Sequence, residues 1–291
     1  MGTVLTVMNM KGGVGKTTVA THIAGIAPRL KLDGKEYKKV LAIDYDPQFN
    51  MSQALLPAKT YFQLEQERST TLSILVDSNT DLNPYELQVA GNYNPPPVAK
   101  LATNIYSPRA HGGKLDIIPS TLDLMYVALG QSENQTKPME ERFEKFLADC
   151  RDNYDLTIID CHPAGSLFTK TSLKNSDHVL IPVMPQRYAV RGIGLMMKFI
   201  SAKKASEKSP KPHILFNNVS RTKLSDQEIQ IRNNPDYRDH CLTHTLKKYT
   251  AFSEPEEGRG FVWASRKPYS TEAFANLISV TRELFQRMGL R

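Results

Sequence analysis

The stretch Asn9-Met10-Lys11-Gly12-Gly13-Val14-Gly15-Lys16-Thr17-Thr18 constrains this chain more than any other. Before it stands a short apolar run, Val4-Leu5-Thr6-Val7-Met8, with the pattern of a buried strand. After it, residues 19–27 read as a helix. A strand, a glycine-rich turn and a helix N-terminus together form a phosphate-binding device. The glycines let backbone N–H groups close around phosphate oxygens without obstruction by a Cβ. The helix N-terminus adds partial positive charge. In such a device Lys16 reaches the β- and γ-phosphates of a nucleotide, and the Thr17 hydroxyl ligates Mg²⁺.

The match to G-x-x-x-x-G-K-[ST] is incomplete. Counting back from Gly15, Met10 holds the place of the first glycine, and a further lysine, Lys11, precedes the turn. The rest of the pattern is nonetheless consistent with a phosphate site. Lys38-Lys39-Val40-Leu41-Ala42-Ile43-Asp44 reads as a second buried strand, running into Asp44-Tyr45-Asp46-Pro47-Gln48. Strand, helix and strand at this spacing form a βαβ unit, which predicts a parallel sheet. Carboxylates at the C-terminal end of such a strand lie where open α/β sheets bind ligands, beside phosphates and metal. Leu156-Thr157-Ile158-Ile159-Asp160 is another strand ending in an acid. That is the form of a Walker B site, whose carboxylate holds Mg²⁺, commonly through a water. The expected fold is α/β: a doubly wound, mostly parallel sheet flanked by helices.

Composition narrows the setting. The chain has 291 residues, 40% hydrophobic and 23% charged, ordinary for a globular protein. No apolar run approaches the ~18 residues of a membrane span. The first strand begins at once, leaving no room for a signal peptide. Three cysteines without a framework spacing suit a reducing cytoplasm. The net charge of +7 is unevenly placed. Residues 1–150 carry 15 Lys and Arg against 16 Asp and Glu; residues 151–291 carry 22 against 14. A basic second half suits a polyanionic partner, nucleic acid or acidic membrane, and equally a solvated basic surface.

Elsewhere, strands are expected at 115–118, 178–183, 213–216 and 242–246, and helices at 71–76, 138–150, 193–205 and 270–288. The last shows an apolar stripe of Phe274, Leu277, Ile278, Leu284, Phe285 and Met288. A basic loop is expected at 203–211. Residues of about 60–112, with three consecutive prolines at 95–97, read as a variable excursion on a single 1–291 domain.

Three motifs in this order, K-G-G-V-G-K-T-T, D-Y-D-P-Q and L-T-I-I-D, resemble the ParA/MinD family of deviant Walker A ATPases, in particular Soj-like partition ATPases without an N-terminal helix-turn-helix domain. The resemblance implies ATP and Mg²⁺ as cofactors, with Gly12, Gly13, Val14, Gly15, Lys16, Thr17 and Thr18 cradling the phosphates. It implies that Lys11 reaches the nucleotide of a partner subunit in a homodimer. Asp46 would position or activate the attacking water, giving catalytic roles to Lys11, Lys16 and Asp46. Thr17, Asp44 and Asp160 would serve the metal. Asn217-Asn218 stands where relatives form the adenine pocket, and either amide offers the donor and acceptor an adenine edge needs. Arg221-Thr222-Lys223-Leu224-Ser225 resembles the family's R-T-x-L-S. With Lys247 and Lys248 it would bind DNA phosphates without sequence preference. Partners implied are non-specific DNA and a ParB-like DNA-binding adaptor, in a cytoplasmic, nucleoid-associated setting.

Two positions depart from the family pattern. His162 stands where the first proline of D-x-P-P-S is usual, leaving its role open between packing and catalysis. Lys247 replaces the proline of I-P-R, removing support for a base contact there. A MinD-like membrane-associated positioning ATPase and a P-loop small-molecule ligase are the other readings of the same core. Zinc at His240, Cys241 and His244 lacks a full ligand set. An iron–sulfur cluster at Cys161 lacks a second cysteine at useful spacing.

Overall fold

The computed structural model describes residues 1–31, 37–77, 82–83, 90–91, 94–107, 112–128, 133–162, 167–202, 209–258 and 260–289. Seven strands form one sheet: β1 Thr3–Val7, β2 Lys39–Tyr45, β3 Thr103–Tyr106, β4 Lys114–Ile118, β5 Leu156–Cys161, β6 His178–Val183 and β7 Lys211–Phe216. Their spatial order is β3-β4-β2-β5-β1-β6-β7. Every pairing is parallel except that of β3 with β4 at the edge. The chain winds from β1 toward one edge and returns to lay β6 and β7 on the other side. This is the doubly wound sheet that the strand–helix–strand spacing predicts.

The helices are α1 Lys16–Ile26, α2 Asn50–Leu55, α3 Ala58–Gln66, α4 Leu72–Leu75, α5 Val98–Leu101, α6 Leu124–Ala128, α7 Glu133–Asn153, α8 Leu167–Asn175, α9 Ala189–Ser201, α10 Asp226–Asn233 and α11 Ser270–Arg287. Alternate residues of β1 serve opposite faces: Val4 and Met8 join the core under α7, α8 and α9, while Leu5 and Val7 join the core under α1 and α11. With both faces covered, central strands become continuous apolar runs. Burial of such side chains contributes roughly 25 cal/mol per Å² of apolar area.

Several expectations need correction. Residues 242–246 do not form a strand. Leu242 and Leu246 donate to β7 carbonyls, but the intervening N–H groups of Thr243 and His244 donate to the Glu283 carboxylate at 2.6 and 2.7 Å. That carboxylate captures the ladder's donors, and only isolated bridges remain. The 60–112 excursion is not merely surface. It supplies the edge strand β3, and Leu72, Ile74, Leu75, Val98 and Leu101 enter the core. Arg142 of α7 ties it down, donating to the carbonyls of Ser73, Ile74 and Val76 and pairing with Asp77 at 2.6 Å. Helix α7 starts five residues before Pro138, which sits where a missing N–H costs a single early bond. Residues 203–208 of the expected basic loop lie outside the described residues, and Lys211 opens β7.

Candidate nucleotide site

The β1–α1 turn holds Gly13 at φ 71° and Gly15 at φ 84°, backbone that side-chain-bearing residues rarely adopt. A Cβ on Gly15 would also stand 2.3 Å from Asn217 Nδ2. That amide donates to the Val14 carbonyl at 2.9 Å. Asn9 braces the other side of the turn. Its Oδ1 accepts from the Lys11 N–H at 3.0 Å, and its Nδ2 donates to the Pro182 carbonyl at 2.8 Å. Lys16 is buried at the first position of α1. The Thr17 hydroxyl hydrogen-bonds the Asp160 carboxylate, and the Thr18 hydroxyl donates to Glu256 at 2.6 Å. Residues 12–18 thus lie together between the end of β1 and the first turn of α1.

The parallel register places the acids side by side. Asp44 pairs with Asp160 and Tyr45 with Cys161. Asp160 is fully buried, and among the described residues its Oδ2 has no hydrogen-bond partner. Burial, followed by the neighbouring Asp44 charge, holds this carboxyl well above the usual range. A divalent cation would supply the missing countercharge. Mg²⁺ needs only one or two protein carboxylates, taking its remaining ligands from water and phosphate. The residues therefore fit the metal: Asp160 offers an orphaned oxygen, and Thr17 stands against it.

Asp44 has other partners. Its Oδ2 accepts from the Ser52 N–H at 2.8 Å and the Ser52 hydroxyl at 2.6 Å, and its Oδ1 from the Asp46 N–H at 3.4 Å. Burial lifts its carboxyl to about 7 against the opposing Ser52 bonds. The Ser52 Oγ accepts in turn from the Ser120 N–H, and the Ser120 hydroxyl donates to the Asp46 carbonyl at 2.6 Å. Asp44 is therefore the root of a buried network that braces the Asp46 turn. Its Oδ2 is held by Ser52 and its Oδ1 accepts the longer Asp46 bond, an arrangement that suits indirect support of the Mg²⁺ shell.

Asp46 lies at the edge of the site. Its Oδ1 accepts from the Gln48 N–H and from His162 Nδ1, both at 3.0 Å. Burial pushes its carboxyl up, but these bonds and the charges of His162 and Lys16 outweigh it, and the net shift is downward. Neither Ser52, Ser120 nor the His162 contact was visible in the sequence. Only β2–β5 register and the packing of α2 bring them together. Lys11 is half-buried, its Nζ donating to Gln186 Oε1 at 3.4 Å just after β6.

The two asparagines separate. Asn217 contacts the phosphate turn, while Asn218 is exposed in the left-handed region at φ 55°. The next turn carries the basic residues. A parallel bridge between Val219 and Lys247 brings the two basic segments together. Arg221, Lys223 and Lys248 are exposed and Lys247 is half-buried. The Arg221 guanidinium lies 4.3 Å from the Tyr269 ring centre and 5.6 Å from that of Tyr249. Lys247 Nζ donates to the Arg221 carbonyl at 3.4 Å. Among the described residues no group of three His, Cys, Asp or Glu could by itself hold a metal, and all three cysteines are free.

Fold and turn together define a P-loop protein of the deviant Walker A type. A family model described as an AAA domain matches residues 2–211. The chromosome-partitioning ATPase Soj of Treponema pallidum is 30% identical over 200 residues, covering 69% of this chain and 64% of that protein. The sporulation initiation inhibitor protein Soj of Bacillus subtilis is 25% identical over 284 residues, covering 95% and 97%. Two solved structures share the fold. One is a plasmid partition protein of Borrelia burgdorferi bound to AMPPNP, with TM-score 0.68, 20% identity and coverage of 99% and 100%. The other is pNOB8 ParA bound to nonspecific DNA, with TM-score 0.62, 20% identity and coverage of 99% of each chain. The chain belongs to the ParA/MinD family of P-loop ATPases, among its partition proteins.

Proposed function

We propose that this protein is a nucleotide-switched partition ATPase, a single domain over residues 1–291. ATP with Mg²⁺ builds a homodimer, and the dimer holds non-specific DNA. Hydrolysis stimulated by a ParB-like adaptor releases it, so that cargo is segregated or positioned along nucleoid DNA. The observation that carries this reading is a shared strand end. Residue Asn217 at the end of β7 grips the phosphate turn through Val14, and Arg221, four residues on, belongs to the basic surface. A change at the phosphates is thereby passed to the groups that meet DNA.

Placement supports the following residue roles. Turn amides and Lys16 bind the β- and γ-phosphates. Thr17 and Asp160 hold Mg²⁺, which supplies countercharge to the phosphates. Asp46 orients the attacking water, and Asp44 braces Asp46 through Ser52 and Ser120. Lys11 leaves Gln186 to reach the partner's nucleotide. Asn217 and Asn218 border the adenine side. Arg221, Lys223, Lys247 and Lys248 contact phosphates of DNA, and two subunits double that number. The nonspecific DNA on pNOB8 ParA and the AMPPNP on the Borrelia protein support this reading.

The apolar stripe of α11 argues against membrane attachment. Leu277, Leu284 and Phe285 are fully buried, and Phe274, Ile278 and Met288 pack on the same core. Among the described residues no helix is long and apolar enough to cross a membrane.

The decisive experiment is DNA binding with ATP against ADP at graded salt, on wild type and Asp46→Ala. The expected result is ATP-dependent, salt-sensitive binding that persists in Asp46→Ala while hydrolysis is lost. Equal binding with both nucleotides would sink the switch. Loss of nucleotide binding in Asp46→Ala would show that Asp46 does not act on water.

A further inference from the structure

Strand register sets two residues beside each other at the mouth of the site. Asp44 lies opposite Asp160 and Tyr45 opposite Cys161. The next residues are Asp46 and His162, and the His162 ring nitrogen Nδ1 stands 3.0 Å from Asp46 Oδ1. Asp46 Oδ1 already accepts from a backbone N–H, so it is the acceptor in this contact too. The proton of this bond therefore sits on Nδ1, and the ring donates it. The Gln48 N–H donates to the same oxygen at 3.0 Å. Both donors converge on Oδ1, and among the described residues none reaches Oδ2.

The imidazole is itself held. The His162 N–H donates to the Tyr45 carbonyl at 3.4 Å. Its ring stands edge-on to the buried Phe168 of α8, with centroids 6.4 Å apart and planes at 89°. Tyr45 and Phe168 pack against each other beneath it. A ring fixed by backbone and by a buried aromatic is a firm support for a carboxylate that must not rotate.

We propose that His162 is a positioning residue for hydrolysis: its Nδ1–H, with the Gln48 amide, locks Asp46 so that Oδ2 is the oxygen presented to the attacking water. The inference deepens the ATPase reading and rests on it. Orientation of this kind is worth a large factor, since a misplacement of about 1 Å in a catalytic group costs on the order of a hundredfold in rate. The imidazole touches Asp46, and Asp46 touches the water.

The test uses the full chain with His162→Ala, His162→Asn and His162→Gln. Turnover and the affinity for a fluorescent ATP analogue are measured on each. His162→Ala should lower kcat roughly tenfold to a hundredfold, with nucleotide affinity within about twofold of wild type. That retained affinity also shows that the variant folds. Asn places an amide N–H near the Nδ1 position and should recover most of the rate; Gln, whose amide lies nearer the Nε2 position, should not. Unchanged turnover in His162→Ala overturns the proposal. Recovery by Gln and not by Asn also overturns it, by making Nε2 the acting atom. Absence of turnover in wild type would instead be the failure of the ATPase reading. In that event ¹⁵N NMR of the ring decides: a Nδ1–H tautomer lost in Asp46→Ala supports the positioning contact, and an unchanged ring overturns it.

Discussion

The side-chain amide of Asn217 donates to the backbone carbonyl of Val14 at 2.9 Å. One bond thus joins the first residue beyond β7 to the middle of the phosphate turn. The turn's amides are useful only while they converge, and Asn217 is one of the groups that holds them so. Removing a single hydrogen bond of this type costs about 1 kcal/mol, or several-fold in an equilibrium constant. Asn217→Ala should therefore weaken ATP binding by roughly fivefold to tenfold. Asn218→Ala, at an exposed left-handed position, should leave the turn untouched. Titration of a fluorescent ATP analogue against both variants checks the pair, and equal effects would remove Asn217 from the role given it.

Lys11 is poised differently. Its backbone is fixed by Asn9, but among the described residues its ammonium has only a long contact of 3.4 Å with Gln186. A charge held so loosely is available to a second nucleotide site. Lys11→Ala should leave monomer affinity for ATP within about twofold of wild type while reducing ATP-dependent dimerisation at least about tenfold, the loss of a hydrogen bond to a charged group. Analytical ultracentrifugation with a non-hydrolysable analogue reads the second quantity. If both properties fall together, Lys11 serves its own subunit's nucleotide.

Acid should destabilise the fold through His22. This ring on α1 is fully buried, its Nε2 at 3.0 Å from the Phe252 carbonyl and its Nδ1 without a partner among the described residues. A carbonyl accepts only, so Nε2 carries the single proton and the ring is neutral. Burial pulls its pKa down to about 4, against the Phe252 bond. In the unfolded chain the value is about 6.5. Between these values the unfolded state binds more protons, so stability falls as pH drops from about 6.5 to about 4. The full loss is on the order of 3 kcal/mol. His213, lowered to about 3 chiefly by burial, adds a loss of the same sign. Urea midpoints across this window should drop for wild type and drop less steeply for His22→Gln. Parallel slopes would assign the acid sensitivity elsewhere.

What the sequence made legible follows from where its constraints act. The phosphate turn announces itself because phosphate demands glycines and a lysine at fixed spacing. The inner strands are mainly apolar because both faces are buried. Strand β3 gave no such signal. Thr103, Asn104, Ile105 and Tyr106 are largely half-exposed, and their pairing is fixed from a distance, by Asn104 Nδ2 donating to Asp116 at 2.8 Å. The apolar pattern at 242–246 misled for the opposite reason, since the acid that captures its amides sits on α11. The supports of Asp46 are contacts between separate segments, and Glu256 on Thr18 joins residues 238 positions apart. Residue types were readable along the chain; the distant partners that aim them were not.

The basic surface makes the last prediction. Arg221 makes cation–π contacts with Tyr269 and Tyr249, so its guanidinium is held before any ligand arrives. Less freedom is then lost when it meets a phosphate. Lys248, exposed beside it and fixed through its backbone N–H to Val219, offers a point charge without such support. Each phosphate contact releases counterions, contributing about 0.9 to the slope of log affinity against log salt on duplex DNA. Lys248→Ala should thus reduce the slope by about 1 per subunit and weaken binding on every sequence alike. Arg221→Ala should cost more at fixed salt for a similar slope change, because a preorganised contact is lost. Tyr269→Leu separates the two effects. It removes the Tyr269 contact and keeps the charge, so affinity should fall while the slope stays near that of wild type. A slope unchanged by both Lys248→Ala and Arg221→Ala would place the DNA on another face.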